Sequence, residues 1–199
     1  NKRSTRHKFA IALAKKGFPI FPIVANEKVP LNKGWQKKAA EDATPWENNK
    51  NFNIGIACED KFGIIDVDMK HDVDGEKNWK ALCKELGFME SPFQSKTPSG
   101  GRHIIYKMPK GVSLSNSTSK IANGVDVRGL GGYVVAPGSE IDGIMYEVVT
   151  KRTDPIEMPQ VLIDLCQKSR ERAEDFDIPV GELDTDDNIA RAEEYLKLA

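Results

Sequence analysis

The chain has 199 residues, a mass of 22.1 kDa and a formal net charge of −1, with 39% hydrophobic and 30% charged residues. A chain this long buries roughly 70% of its unfolded surface, so it folds without metal or disulfide staples. Its composition excludes a disordered or fibrous protein, and its longest apolar runs, such as residues 17–24 and 133–137, are too short to span a membrane.

The chain opens with a basic stretch that no signal-peptide apolar run follows. Residues 1–40 hold ten Lys and Arg against one acid, Glu27. Such a front end suits a polyanionic partner, or equally a solvated helix face. Ser4 is placed to cap a helix through Lys16, with Phe9, Ile11, Leu13 and Ala14 as its apolar side and Gly17 ending it. Residues 18–24 read as a strand, and two prolines put it at a sheet edge. Residues 25–50 are loop-rich, and residues 52–58 and 62–68 read as two strands joined at Glu59-Asp60-Lys61. Residues 75–86 have helical spacing, with Trp79, Leu82, Cys83 and Leu86 on one stripe and Gly87 as the stop.

A Pro-Ser-Gly-Gly turn at residues 98–101 introduces a strand over 102–108. Further strands are predicted at 124–128, 133–137 and 145–149, and a helix at 159–172. Residues 171–199 carry ten acids and three bases. Within them, 173–185 read as a linker and 187–198 as one more helix. The sum is an α+β fold with a domain over 1–172, followed by an acidic linker and the start of a helical accessory segment over 173–199.

Three groups of residues carry chemistry. In Ile64-Ile65-Asp66-Val67-Asp68, strand alternation points Asp66 and Asp68 the same way. Two carboxylates side by side call for a cation, and hard oxygens suit Mg²⁺ or Mn²⁺; the plain alternative is a solvated strand end. In Ser99-Gly100-Gly101-Arg102-His103, Gly101 leaves room for a ligand beside His103, and the Arg and His suit phosphate. The alternative is a hairpin turn with a buried histidine. In Gly124-Val125-Asp126-Val127-Arg128-Gly129, Asp126 and Arg128 share a face, either as a third carboxylate for a metal site or as a surface ion pair.

Other motifs fail. There is no P-loop. Asp72-Val73-Asp74-Gly75 lacks the outer ligands of a calcium loop, since Lys70 and Ala81 fill those places. Cys58, Cys83 and Cys166 are too dispersed for a zinc ribbon or disulfide framework and read as free thiols in a reducing cytoplasm.

Taken in order, these segments resemble the N-terminal domain of bifunctional primase/polymerases, a family of the archaeo-eukaryotic primase superfamily found in plasmids, phages and mobile elements. The resemblance runs from about Phe9 to Tyr146. It rests on Gly17-Phe18-Pro19-Ile20-Phe21-Pro22, Lys28-Val29-Pro30-Leu31, Gly34-Trp35, Asn53-Ile54-Gly55-Ile56, the aspartate strand, Thr97 through His103, and Gly124 through Gly129. One departure is Gly138, where the family usually has a second proline.

The resemblance implies an RNA-recognition-motif-like catalytic sheet joined to an N-terminal α/β unit, with the site between them and a helical tail behind. It implies template-directed nucleotidyl transfer on single-stranded DNA template and primer, with dNTP or NTP as substrate. Asp66, Asp68 and Asp126 would hold two Mg²⁺ or Mn²⁺ ions. His103 would bind the triphosphate with help from Ser99 and Arg102, while Arg128 and Lys28 would contact the nucleotide. It also implies helical and helicase domains beyond this segment. Three carboxylates alone would equally serve a metal-dependent nuclease, and the basic N-terminus a non-catalytic nucleic-acid-binding module.

Overall fold

The computed structural model describes residues 4–70, 72–150 and 153–174. The fold is α+β, built on two antiparallel sheets. Helix α1 (Thr5–Lys15) starts where the Ser4 hydroxyl accepts from the His7 N–H at 3.2 Å. Strand β1 (Ile20–Ile23) leads through a 3-10 turn at Trp35–Lys37 and the short α2 (Pro45–Asn48) to β2 (Asn53–Ala57) and β3 (Phe62–Val67). A small hairpin of β4 (Met69–Lys70) and β5 (Val73–Asp74) runs into α3 (Gly75–Leu86). The Asp74 carboxylate caps α3 by accepting from the Lys77 N–H at 2.9 Å, and Gly87 ends it at φ 69°. Then follow β6 (Gln94–Lys96), β7 (Arg102–Lys107), β8 (Ser117–Ala122), β9 (Val125–Arg128), β10 (Tyr133–Val135), β11 (Glu140–Ile141), β12 (Ile144–Met145), β13 (Glu147–Val148) and α4 (Gln160–Glu174).

The large sheet has the order β13-β6-β7-β3-β9-β8, the small one β1-β2-β10. Strand β1 lies at an edge, as its prolines predict. That edge is covered: Ile20 bridges to Ala40 and Ile23 to Pro30. The predicted strand at 145–149 is split at Tyr146, with β12 pairing to β11 and β13 to β6.

Period-two alternation divides the large sheet into two faces. Ile65, Val67, Ile104, Tyr106, Val125 and Val127 pack against Trp79 of α3 and Leu162 and Ile163 of α4. Phe62, Ile64 and Ile105, on the other face, pack with Phe18, Ile54, Ile56 and Val134 around the small sheet. Each such fully buried side chain stabilises by about 1.5–3 kcal/mol relative to exposure. The two sheets share the chain at Gly129–Gly132, where β9 of one hands over to β10 of the other.

Buried polar side chains lock the small sheet. The Ser139 hydroxyl accepts from the Ile54 N–H at 2.8 Å and donates to the Ile54 carbonyl at 3.3 Å. Gly138 stands at φ 86°, and a Cβ there would meet the Phe9 ring at 2.5 Å. Proline, fixed near φ −65°, cannot adopt that backbone, which accounts for the departure noted above. Among the described residues no helix is long and apolar enough to cross a membrane. The predicted linker at 173–185 and helix at 187–198 fall almost wholly outside the described residues.

Candidate active site

The face that carries Ile64 and Ile105 turns polar toward one end. Asp66 on β3 pairs across the sheet with His103 on β7 and with Asp126 on β9, so the three side chains stand in one row. Arg128 lies one step back on β9, on the same face, opposite Ile64. Asp68 follows β3, its N–H bonded to the Gly124 carbonyl at 2.8 Å. Asp66, Asp68, His103 and Arg128 line a cleft of about 370 Å³, to which Lys28 and Ser99 also contribute. This volume lies within the usual range of small-ligand sites.

One guanidinium nitrogen of Arg128 serves both facing carboxylates, at 3.1 Å from Asp66 Oδ2 and 2.8 Å from Asp126 Oδ2. Asp126 is buried, and its Oδ1 accepts from the Ser119 N–H at 3.0 Å. Burial pushes the Asp126 carboxyl above its ordinary range, reinforced by Asp66 and Asp68 and opposed by Ser119 and Arg128. Asp66 Oδ1 is 3.5 Å from His103 Nε2. Burial draws the His103 imidazole below its usual value, against the pull of Asp66, so it stands neutral near pH 7. A neutral ring offers a hydrogen-bond donor to an anion rather than a full charge.

Three cleft residues escaped the sequence reading. Tyr146, 2% exposed, stacks on the His103 ring with centroids 5.8 Å apart. Burial, with Asp66 and Asp68 adding to it, raises its hydroxyl to about 12, so it stays a neutral phenol. Tyr133 donates to the Lys28 carbonyl at 2.8 Å and so ties the lysine loop to the cleft wall. Thr97 Oγ1 lies 3.0 Å from Ser99 Oγ. Thr97 opens the quoted Thr97-to-His103 segment, whereas no local pattern marks the two tyrosines. Tyr146 follows His103 by more than forty residues and meets it only through the β11–β13 excursion.

The structure corrects two expectations. Arg102 does not reach the cleft: it points to the opposite face of β7. There its guanidinium is clasped by Glu76 of α3 at 2.8 and 2.9 Å, by Glu90 at 3.0 and 3.1 Å, and by the Gln94 side-chain oxygen. Glu90 also accepts from the Trp79 indole N–H at 2.6 Å. The physical reason is the strand period of two, which sends Arg102 and His103 to opposite sides. Gly101 likewise makes no room for a ligand. A Cβ there would stand 2.1 Å from the Val67 carbonyl, so the glycine lets β7 approach the end of β3. The basic N-terminal side chains are divided too, since Lys16 pairs with Asp154 instead of facing the cleft.

Two facing carboxylates are hard oxygen donors of the kind a divalent ion takes, and here the Arg128 guanidinium lies between them. Among the described residues, no three His, Cys, Asp or Glu side chains converge as a metal-ligand set. Asp68 is a member of the cleft wall rather than of the close carboxylate pair.

No curated protein matches the chain. A family model for the N-terminal domain of bifunctional DNA primase/polymerases matches residues 10–161, which takes in both sheets and the first residues of α4. The matched span contains every residue of the carboxylate row and of the cleft around it, and the chain belongs to the bifunctional DNA primase/polymerase N-terminal domain family.

Proposed function

We propose that the cleft carries out template-directed nucleotidyl transfer, adding a dNTP or NTP to a primer 3′-hydroxyl or to an initiating nucleotide. The observation that supports this most is the cross-strand row His103–Asp66–Asp126 with Arg128 at its side, in a chain of this family. The run β3, α3, β6, β7 also has its first and third strands adjacent, which fits the β-α-β-β half of a split β-α-β unit and favours the RNA-recognition-motif-like reading of the catalytic sheet.

In this reading Asp66 and Asp126 would hold Mg²⁺ or Mn²⁺, and Asp68 would support a second ion from the cleft wall. When bound, the ions supply activation of the attacking hydroxyl and stabilisation of the pyrophosphate leaving group. The chain supplies positioning. Ser119 fixes one oxygen of Asp126, and Tyr146 holds the His103 ring flat against the cleft. Neutral His103 donates a hydrogen bond to a phosphate oxygen, with Ser99 beside it. Lys28 and Arg128 bring positive charge to the triphosphate, and the exposed lysines around Lys33 and Lys37 attract single-stranded template and primer.

The test is primer extension with Mg²⁺ or Mn²⁺, each class of nucleotide offered separately. Triphosphate-dependent lengthening of the primer supports the proposal. Shortening of DNA without triphosphate would mark a nuclease, and binding without either reaction a non-catalytic module.

A further inference from the structure

We propose that Arg128 is the resident counter-cation of the carboxylate pair, and that it and a divalent ion occupy the space between Asp66 and Asp126 in turn. This rests on the metal-dependent reading above and concerns how the same site is loaded.

Each carboxylate turns one oxygen away from Arg128: Asp126 Oδ1 accepts from the Ser119 N–H at 3.0 Å, and Asp66 Oδ1 faces the His103 ring, with Nε2 3.5 Å away. Ser119 reaches this position with a left-handed backbone, φ 51°, at the irregularity in β8. The remaining oxygens, both Oδ2, converge on one nitrogen of Arg128. Like charges directly opposite across a strand pair repel, and a cation between them relieves that repulsion. The guanidinium supplies it from the adjacent position on β9.

A hard cation held between Asp66 and Asp126 would need the space that this nitrogen fills, so the two would exclude one another. Arg128 is also able to leave. It is bound to the pair through one nitrogen only, its side chain is 31% exposed, and it lines the cleft beside Lys28. An anionic substrate there gives the displaced guanidinium a phosphate partner, so triphosphate and cation binding reinforce each other. Without substrate, Arg128 holds the cation affinity down.

The experiment measures equilibrium Mn²⁺ binding to the whole chain without nucleotide, from the electron paramagnetic resonance signal of free Mn²⁺. Arg128→Met removes the charge and adds no hard ligand. It should bind Mn²⁺ more tightly than the parent by a factor on the order of ten. Arg128→Lys, which keeps a cation, should return the affinity toward the parent. Equal or weaker binding by Arg128→Met overturns the proposal. If primer extension by the parent is intact in that case, the polymerase reading stands and only this inference falls. If adding Asp126→Asn to either protein leaves its Mn²⁺ binding unchanged, Asp126 holds no ion and this inference falls, whereas primer extension by the parent that needs no divalent ion would sink the metal-dependent reading. A second measurement needs no charge-removing variant. In the ¹⁵N-labelled parent, saturating Mg²⁺ should move the Arg128 guanidinium resonances, assigned by their loss in Arg128→Lys. Resonances that stay in place overturn the proposal.

Discussion

Two arginines on strands either side of β3 are each gripped by two carboxylates, and they differ in how. Arg102 uses three nitrogens to make five hydrogen bonds to Glu76, Glu90 and Gln94, on the face covered by α3. Arg128 uses one nitrogen for both Asp66 and Asp126, at the mouth of a cleft. The first network uses all five of the arginine's donors and ties a helix to a sheet. The second leaves its arginine replaceable. An ion pair serves structure when its geometry is saturated and chemistry when it is not.

The largest effect should come from breaking the second network. Asp66→Asn or Asp126→Asn is expected to cut nucleotide incorporation by on the order of a thousandfold or more, with an unchanged circular dichroism spectrum. Retained incorporation by either variant would remove that residue from the site. Breaking the first network should do the reverse. Arg102→Ala leaves Glu76 with only Lys80, and Glu90 with only Trp79 and Gln94, and should cost about 2–3 kcal/mol, less than a fully buried pair because the cluster is partly solvated. It should lower the melting temperature by several degrees while the folded protein still extends primers.

A third test uses pH. Burial alone would raise the Glu90 carboxyl, but Arg102, Gln94 and Trp79 together hold it below 4.5. A depressed folded value stabilises above the unfolded value and loses that stability as pH falls through the folded one. The difference in melting temperature between the parent and Glu90→Gln should therefore be largest at neutral pH and shrink below about pH 4.5. A gap that widens in acid would show that Glu90 is not held ionised by Arg102. The smallest effect is expected at the rim: Ser99→Ala should raise the nucleotide concentration for half-maximal rate by about two- to fivefold, the loss of one ordinary hydrogen bond. No change would leave Ser99 as a turn residue paired with Thr97.

Much of this was legible in the sequence, where local pattern and burial agree. The aspartate strand, the Trp79 helix with its glycine stop, and β9 all carry alternation or helical spacing that matches what they bury. Strand β6 was not legible. Gln94 and Ser95 are polar and buried, because they face Arg102 and His103 and not an apolar layer. Strand β8 lies at a sheet edge with its first four residues polar, and only Ile121 and Ala122 at its end pack on the core, too short a signal to mark a strand. Arg102 is a different case. Alternation already set it opposite His103, and the chemical suitability of arginine for phosphate outweighed a geometric rule that was the better guide. Tyr146 and Tyr133 depend on long-range closure, which no window of neighbouring residues records.

The hydroxyl of Ser139 grips both backbone groups of Ile54, across eighty-five residues. Strand β2 therefore lies between β1, made early, and β10, made late. During synthesis at roughly 5–20 residues per second, the first fifty-odd residues wait for several seconds with one side of β2 unpaired. The small sheet is thus no free-standing N-terminal module, since it needs β10 from beyond the central strands of the large sheet. The small sheet is complete only when β10 follows β3, β7 and β9 of the large one, and the cleft only when Tyr146 has been made. This makes the fold slow to nucleate and leaves β2 as the strand most exposed to wrong pairing on a stalled ribosome.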